Sequence, residues 1–119
     1  MHPSYPVLAI DIGGTKTAAA VIDERYAVHC RQEIATEAQA GPERVLDCIA
    51  ELGQSVMAAF QRTLPDAATP HAAGIAIAGQ VDVTSGDVLQ ATENMPGWTG
   101  FPAGRRLAAK LRMPVVVDN

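Results

Sequence analysis

The sequence predicts a single α/β domain, a mixed β-sheet with flanking helices. Three observations carry that expectation. Apolar runs of strand length recur along the chain, one long stretch repeats its apolar residues at helical spacing, and Ala, Val, Ile and Leu supply most of the apolar content. At 119 residues the length is that of one domain, and 48% hydrophobic content is ample for one packed core. Aromatic residues make up only 4%, which favours α/β layers over a small all-β barrel.

Val7 to Ile12 reads as a buried strand running into a tight turn at Gly13-Gly14. Thr17 to Ile22 is a second strand that closes at the polar turn Asp23-Glu24-Arg25, and a third is expected over Tyr26 to Ala35. Together they form an antiparallel meander. Gly41-Pro42-Glu43 is a helix start, because Pro is pre-set for the first helical position and Glu suits the positive end of the helix dipole. Val45, Ile49, Leu52, Val56 and Phe60 then recur on one stripe, and Pro65 places the helix end near Thr63. A helix of that length suits a crossover that returns the chain parallel to the first strand.

Ala72 to Ala78 is the next strand, ending at Gly79. Val81 to Val83 and Val88 to Gln90 flank Thr84-Ser85-Gly86-Asp87 as a hairpin. Glu93 to Trp98 is an irregular loop, Pro102 to Arg112 a short helix, and Pro114 to Val117 a buried strand that enters Asp118-Asn119. A buried strand followed at once by polar residues is how α/β folds approach a functional loop. The 119 residues are therefore expected to be part of a longer protein.

The charge balance excludes several classes. Nine Lys and Arg against thirteen Asp and Glu give −4, so no nucleic-acid partner held by bulk charge is expected. Arg105, Arg106, Lys110 and Arg112 read as a solvated helix face. Cys30 and Cys48 lie in no CxxC and near no ligand-spaced His, so they read as reduced, partly buried thiols of a cytoplasmic protein. No apolar run reaches membrane-spanning length, and the first residues lack a basic, apolar leader, so neither membrane nor export is expected.

Four motifs carry chemistry. Asp11-Ile12-Gly13-Gly14-Thr15-Lys16-Thr17 sits between two strands, where glycines let backbone N–H groups approach an anion. Thr15 adds a hydroxyl and Lys16 a cation, both suited to terminal phosphates, and Asp11 is placed to hold hydrated Mg²⁺. It is not a Walker A loop, because Thr15 stands between the second glycine and Lys16. Gly74 to Asp82 is a strand ending at Gly79, compatible with the floor of a sugar pocket. In Thr92-Glu93-Asn94-Met95-Pro96-Gly97-Trp98, Thr92 and Asn94 offer hydroxyl and amide groups suited to sugar hydroxyls. Trp98 reads as a core anchor for that loop, the alternative being a ring stacked on the sugar. Asn119, after Val115 to Asp118, would lie near Gly79, so that both face one crevice.

Taken in order, these motifs resemble those of the ROK sugar kinases. The Asp-Ile-Gly-Gly-Thr-Lys run is similar to that family's phosphate motif, and Gly74 to Asp82 with Gly86 to Leu89 to its glycine-rich strand and hairpin. Asn94 to Trp98 is similar to its sugar loop, and Leu111 to Asn119 to the strand entering its catalytic pair. The resemblance covers nearly the whole chain. It implies a ribonuclease H-like (actin/hexokinase-like ATPase) amino-terminal domain. It assigns Asp11, Gly13, Gly14, Thr15 and Lys16 to ATP·Mg²⁺, and Gly79, Gln80, Thr92, Asn94 and Asn119 to the sugar. The aspartate base would be the residue after Asn119, so these residues alone are expected not to catalyse.

Adenine contacts and a zinc-binding His/Cys cluster would belong to a carboxyl-terminal lobe. A homodimer or higher homo-oligomer is expected as the assembled form. Gln80 stands where the family varies and is expected to tune the sugar choice. Three rival readings keep the fold. One is a sugar-responsive ROK transcriptional regulator, disfavoured because ten residues before Asp11 are too few for a DNA-binding domain. Another is a superfamily ATPase that phosphorylates no sugar, disfavoured by the Asn94 to Trp98 loop. The third is a binding or scaffold protein that uses the fold without chemistry.

Overall fold

The computed structural model describes residues 5–91 and 95–118. Strands β1 (Val7–Ile12), β2 (Lys16–Ile22) and β3 (Val28–Ala35) form the antiparallel meander, followed by a 3-10 turn at Ala38–Ala40 and the long helix α1 (Pro42–Thr63). Then come β4 (Ala73–Ile77), the pair β5 (Gly79–Val81) and β6 (Val88–Ala91), helix α2 (Ala103–Leu111) and β7 (Val115–Asp118). The main sheet has the order β3-β2-β1-β4-β7, with β4 parallel to β1 and β7 parallel to β4. The helix crossover thus returns the chain parallel, as its length requires.

Strand alternation divides the sheet into two unlike faces. Leu8, Ile10, Ile12, Ile75, Ile77 and Val117 point to the helices and are buried. Gly53 of α1 lies so close to them that a Cβ there would sit 2.9 Å from Leu8 and 3.3 Å from Leu111 of α2. Lys110 bonds Asp47 at 2.6 Å and Glu43 at 3.3 Å, and Arg106 reaches Glu43 at 3.3 Å, so part of the basic stretch ties α2 to α1. The other face carries Ala9, Ala18, Ala20, Gly74, Ala76 and Val116 and remains open.

Two boundaries differ from the sequence expectation, each because an aspartate caps a turn. Asp23 accepts N–H bonds from Arg25 and Ala27, at 2.8 and 3.0 Å, and Tyr26 has φ 63°; β3 therefore begins at Val28, not Tyr26. Asp82 accepts N–H bonds from Thr84 and Ser85, at 2.9 and 3.2 Å, so the chain is already turning where a strand over Val81 to Val83 is expected. The hairpin strand moves back to Gly79–Val81. Cys30 and Cys48 are free and half-buried. Among the described residues no helix is long and apolar enough to cross a membrane.

Candidate functional site

The connection from β1 to β2 consists of Gly13, Gly14 and Thr15, with Lys16 opening β2. It closes on itself: the Gly13 N–H donates to the Lys16 carbonyl at 3.0 Å. A Cβ at position 13 would stand 2.8 Å from that carbonyl oxygen, so glycine is needed here by the closure of the turn itself. Thr15 and Lys16 are exposed at its tip.

Behind the turn stands Thr36, which the sequence does not single out. Its hydroxyl donates to the Gly13 carbonyl at 2.7 Å, and its own N–H donates to the Thr15 carbonyl at 2.8 Å. The Thr17 hydroxyl lies 2.8 Å from the Thr36 hydroxyl. Both residues are buried, at 0% and 3% exposure, and they are the only polar residues so buried among those described. The partners lie 19 and 23 residues apart in the chain, beyond any local signal.

Lys16 is 71% exposed, and its Nζ stands 3.8 Å from Glu33. The Glu33 carboxyl is held below its ordinary value of 4.5, chiefly by the hydrogen bond from Arg31 at 3.0 Å, with the charge of Lys16 adding a smaller effect. An exposed pair of this kind is weak, so Lys16 can turn to an incoming anion at little cost.

Asp11 lies on β1, two residues before Gly13, and faces the open side of the sheet. Its row reads Glu33, Ala18, Asp11, Ala76, Asp118 across β3, β2, β1, β4 and β7. Asp11 and Asp118 are therefore two strand spacings apart, about 10 Å between Cα atoms. Ala18, Asp11, Ala76 and Asp118 of this row line a shallow depression of about 550 Å³ floored by small residues, with Arg31 at its side. Sequence reading picks out Asp11 but not the contributions of Arg31 and Glu33, because only the register brings β3 into line.

Gly79 lies where β4 gives way to β5. The Ala78 N–H donates to the Ile12 carbonyl at 3.4 Å, so Gly79 follows directly on the residue bonded to the end of β1, beside the glycine turn. Its φ is +117°, and a Cβ would meet the Gln90 carbonyl oxygen at 2.3 Å. Gln80 is exposed on β5, opposite Gln90. Thr92, Asn94 and Asn119 lie outside the described residues.

The loop after them is firmly seated. Met95 and Trp98 are 2% and 0% exposed, and the Trp98 ring meets Phe101 edge-on at 5.8 Å. Trp98 is thus the anchor of the loop, with its faces spent on the core and not offered to a sugar. A Cβ at Gly97 would stand 3.2 Å from the Pro42 ring at the start of α1, and the Val88 N–H donates to the Phe101 carbonyl at 2.9 Å.

A mixed sheet with its antiparallel meander leading into parallel strands, flanked by helices on one face, is the arrangement of the ROK hexokinase-like ATPase fold. The ROK family model matches residues 7–119, and the chain belongs to the ROK family. It is 37% identical over 119 residues to the bifunctional enzyme NanE/NanK of Brucella melitensis, covering 98% of this chain and 20% of that protein. It is 32% identical over 114 residues to the N-acetylmannosamine kinase of Shigella flexneri, covering 95% of this chain and 35% of that protein. Among solved structures it resembles a ROK glucokinase from Streptomyces griseus in complex with glucose and AMPPNP, at 31% identity and a TM-score of 0.75. That likeness covers 95% of this chain and 32% of the glucokinase. The chain thus spans about a third or less of the length of these three relatives. The Shigella and Streptomyces relatives are sugar kinases.

Proposed function

We propose that the whole protein is an ATP-dependent kinase that transfers the γ-phosphoryl group to a hydroxyl, the 6-hydroxyl first, of a hexose or N-acetylhexosamine. The observation that carries the reading is the Gly13 to Lys16 turn, its Gly13, Thr15 and Lys16 carbonyls tied back and its lysine loosely held, at the end of the sheet where Gly79 also lies. N-acetylmannosamine is the first sugar to test, because the N-acetylmannosamine kinase of Shigella flexneri matches 95% of this chain.

In this reading the turn amides and Lys16 cradle the terminal phosphates, and Asp11 would hold a hydrated Mg²⁺. The residues present suit these roles, with an exposed carboxylate on the first strand, a cation with a weak partner, and a turn whose closure leaves no side chain in the way. Mg²⁺ would neutralise charge on the phosphate oxygens. Lys16 and the turn amides stabilise the charge that develops on the transferred group. Gly79, Gln80, Thr92, Asn94 and Asn119 contact the sugar and hold its hydroxyl in line. The proton acceptor is assigned to the residue after Asn119, in the part that would also carry the adenine pocket and any zinc site. The assembled, cytoplasmic form is a homodimer or higher homo-oligomer.

The test is a coupled assay of ADP release by the whole protein over N-acetylmannosamine, N-acetylglucosamine, glucose, fructose and allose. Sugar-dependent turnover supports the reading. Background ATP hydrolysis that no sugar raises would sink it.

A further inference from the structure

We infer that Thr36 is a positioning residue that sets the peptide planes of the phosphate turn. This deepens the kinase reading and rests on that turn being the phosphate cradle. A hydroxyl has one proton, and that of Thr36 is committed to the Gly13 carbonyl at 2.7 Å. In the 2.8 Å contact between the two hydroxyls, Thr17 must therefore be the donor. The result is a directed chain from Thr17 to Thr36 to the Gly13 carbonyl, in a buried setting where successive hydrogen bonds strengthen one another.

The consequence falls on the other side of each peptide. In a trans peptide the C=O and the following N–H point in opposite directions. Drawing the Gly13 carbonyl back to Thr36 aims the Gly14 N–H away from Thr36, and drawing back the Thr15 carbonyl through the Thr36 N–H does the same for Lys16. The Lys16 carbonyl is occupied in turn by the Gly13 N–H at 3.0 Å. Three carbonyl oxygens that would repel a phosphate are thereby held in fixed bonds. Glycine lacks a side chain to impose this order, so a residue from the end of β3 supplies it.

The experiment uses the whole protein with Thr36→Val, which keeps the shape and removes the hydroxyl, and Thr36→Ser, which keeps the hydroxyl. Thr36→Val is expected to lower kcat/KM for MgATP about tenfold, the scale of one hydrogen bond. The KM for the sugar should stay within about twofold, and Thr36→Ser should recover most of the loss. Thr17→Val, which removes only the first hydroxyl, should act in the same direction by about threefold, and it replaces Thr36→Val if that variant does not fold.

A second readout needs no turnover. Amide exchange at Gly14 and Lys16 should slow when ADP with Mg²⁺ is added to wild type and to Thr36→Ser, and less so in Thr36→Val, or in Thr17→Val where that stands in. Absent sugar-dependent turnover in wild type would count against the kinase reading, while the exchange pattern would still decide the role of Thr36. An unchanged kcat/KM for MgATP in the valine variants, serine as impaired as valine, or exchange that ADP does not slow in wild type would overturn the inference.

Discussion

Replacing Gly79 by alanine should destabilise the fold, whereas the same replacement at Gly74, near the start of β4, should not. At Gly79 the φ of +117° is one that a residue with a Cβ rarely adopts, and holding it there costs about 1–3 kcal/mol. The new Cβ would also stand 2.3 Å from the Gln90 carbonyl oxygen and 3.1 Å from the Ala91 Cα, both backbone atoms. Relief requires β5 and β6 to part by roughly 1 Å, which weakens a ladder bond worth about 0.5–1.5 kcal/mol. The two effects together place Gly79→Ala about 2–4 kcal/mol below wild type. Gly74 has no positive φ, and a Cβ there meets nothing within 4 Å on the open face. Gly74→Ala should therefore be neutral or stabilise by about 0.5 kcal/mol through the unfolded chain. Equilibrium urea unfolding followed by the fluorescence of Trp98, the single tryptophan and fully buried, reads both. If Gly79→Ala stayed within about 0.5 kcal/mol of wild type, the strain and clash argument would fail.

Asp11→Asn and Lys16→Ala in the whole protein should lower kcat far more than they change sugar affinity, because the proposed roles set their charges against the phosphates in the transition state. Asn94→Ala should instead raise the KM for the sugar first; steady-state kinetics with each substrate varied will show whether the roles divide this way. Asp23 should contribute an acid-labile element of stability. The hydrogen bond with His29 at 2.8 Å, followed by the Ala27 and Arg25 N–H groups, holds its carboxyl below the ordinary 3.8. A depressed carboxyl stabilises the fold above its unfolded value and loses that contribution as pH falls through the folded one. Urea midpoints measured from about pH 5 downward should therefore fall more steeply for wild type than for Asp23→Asn, and parallel slopes would show that the turn gains nothing from the charge.

The sequence by itself determined the layers of the fold and the place of its first glycine turn, because those features are written in local patterns. The Val45 to Phe60 stripe and Pro42 and Pro65 mark α1 from Pro42 to Thr63, and the glycine pair marks the first turn. Helix period, proline and glycine constrain the backbone within a few residues, so one chain suffices to read them. The strand starts at Val28 and Gly79 depended instead on where Asp23 and Asp82 found backbone donors, which shifts a boundary by about two residues without altering the apolar pattern.

Only the tertiary structure decided what stands behind and around that turn. Thr36 meets Gly13 and Thr15 across the meander, Glu33 reaches Lys16, and Asp118 falls into the row of Asp11 through two parallel pairings. It also decided that Trp98 serves the core, since exposure follows from everything packed on the ring and not from its motif. Each of these is a contact between residues far apart in the chain, fixed by sheet register, and register is a property of the assembled strands that no single segment contains.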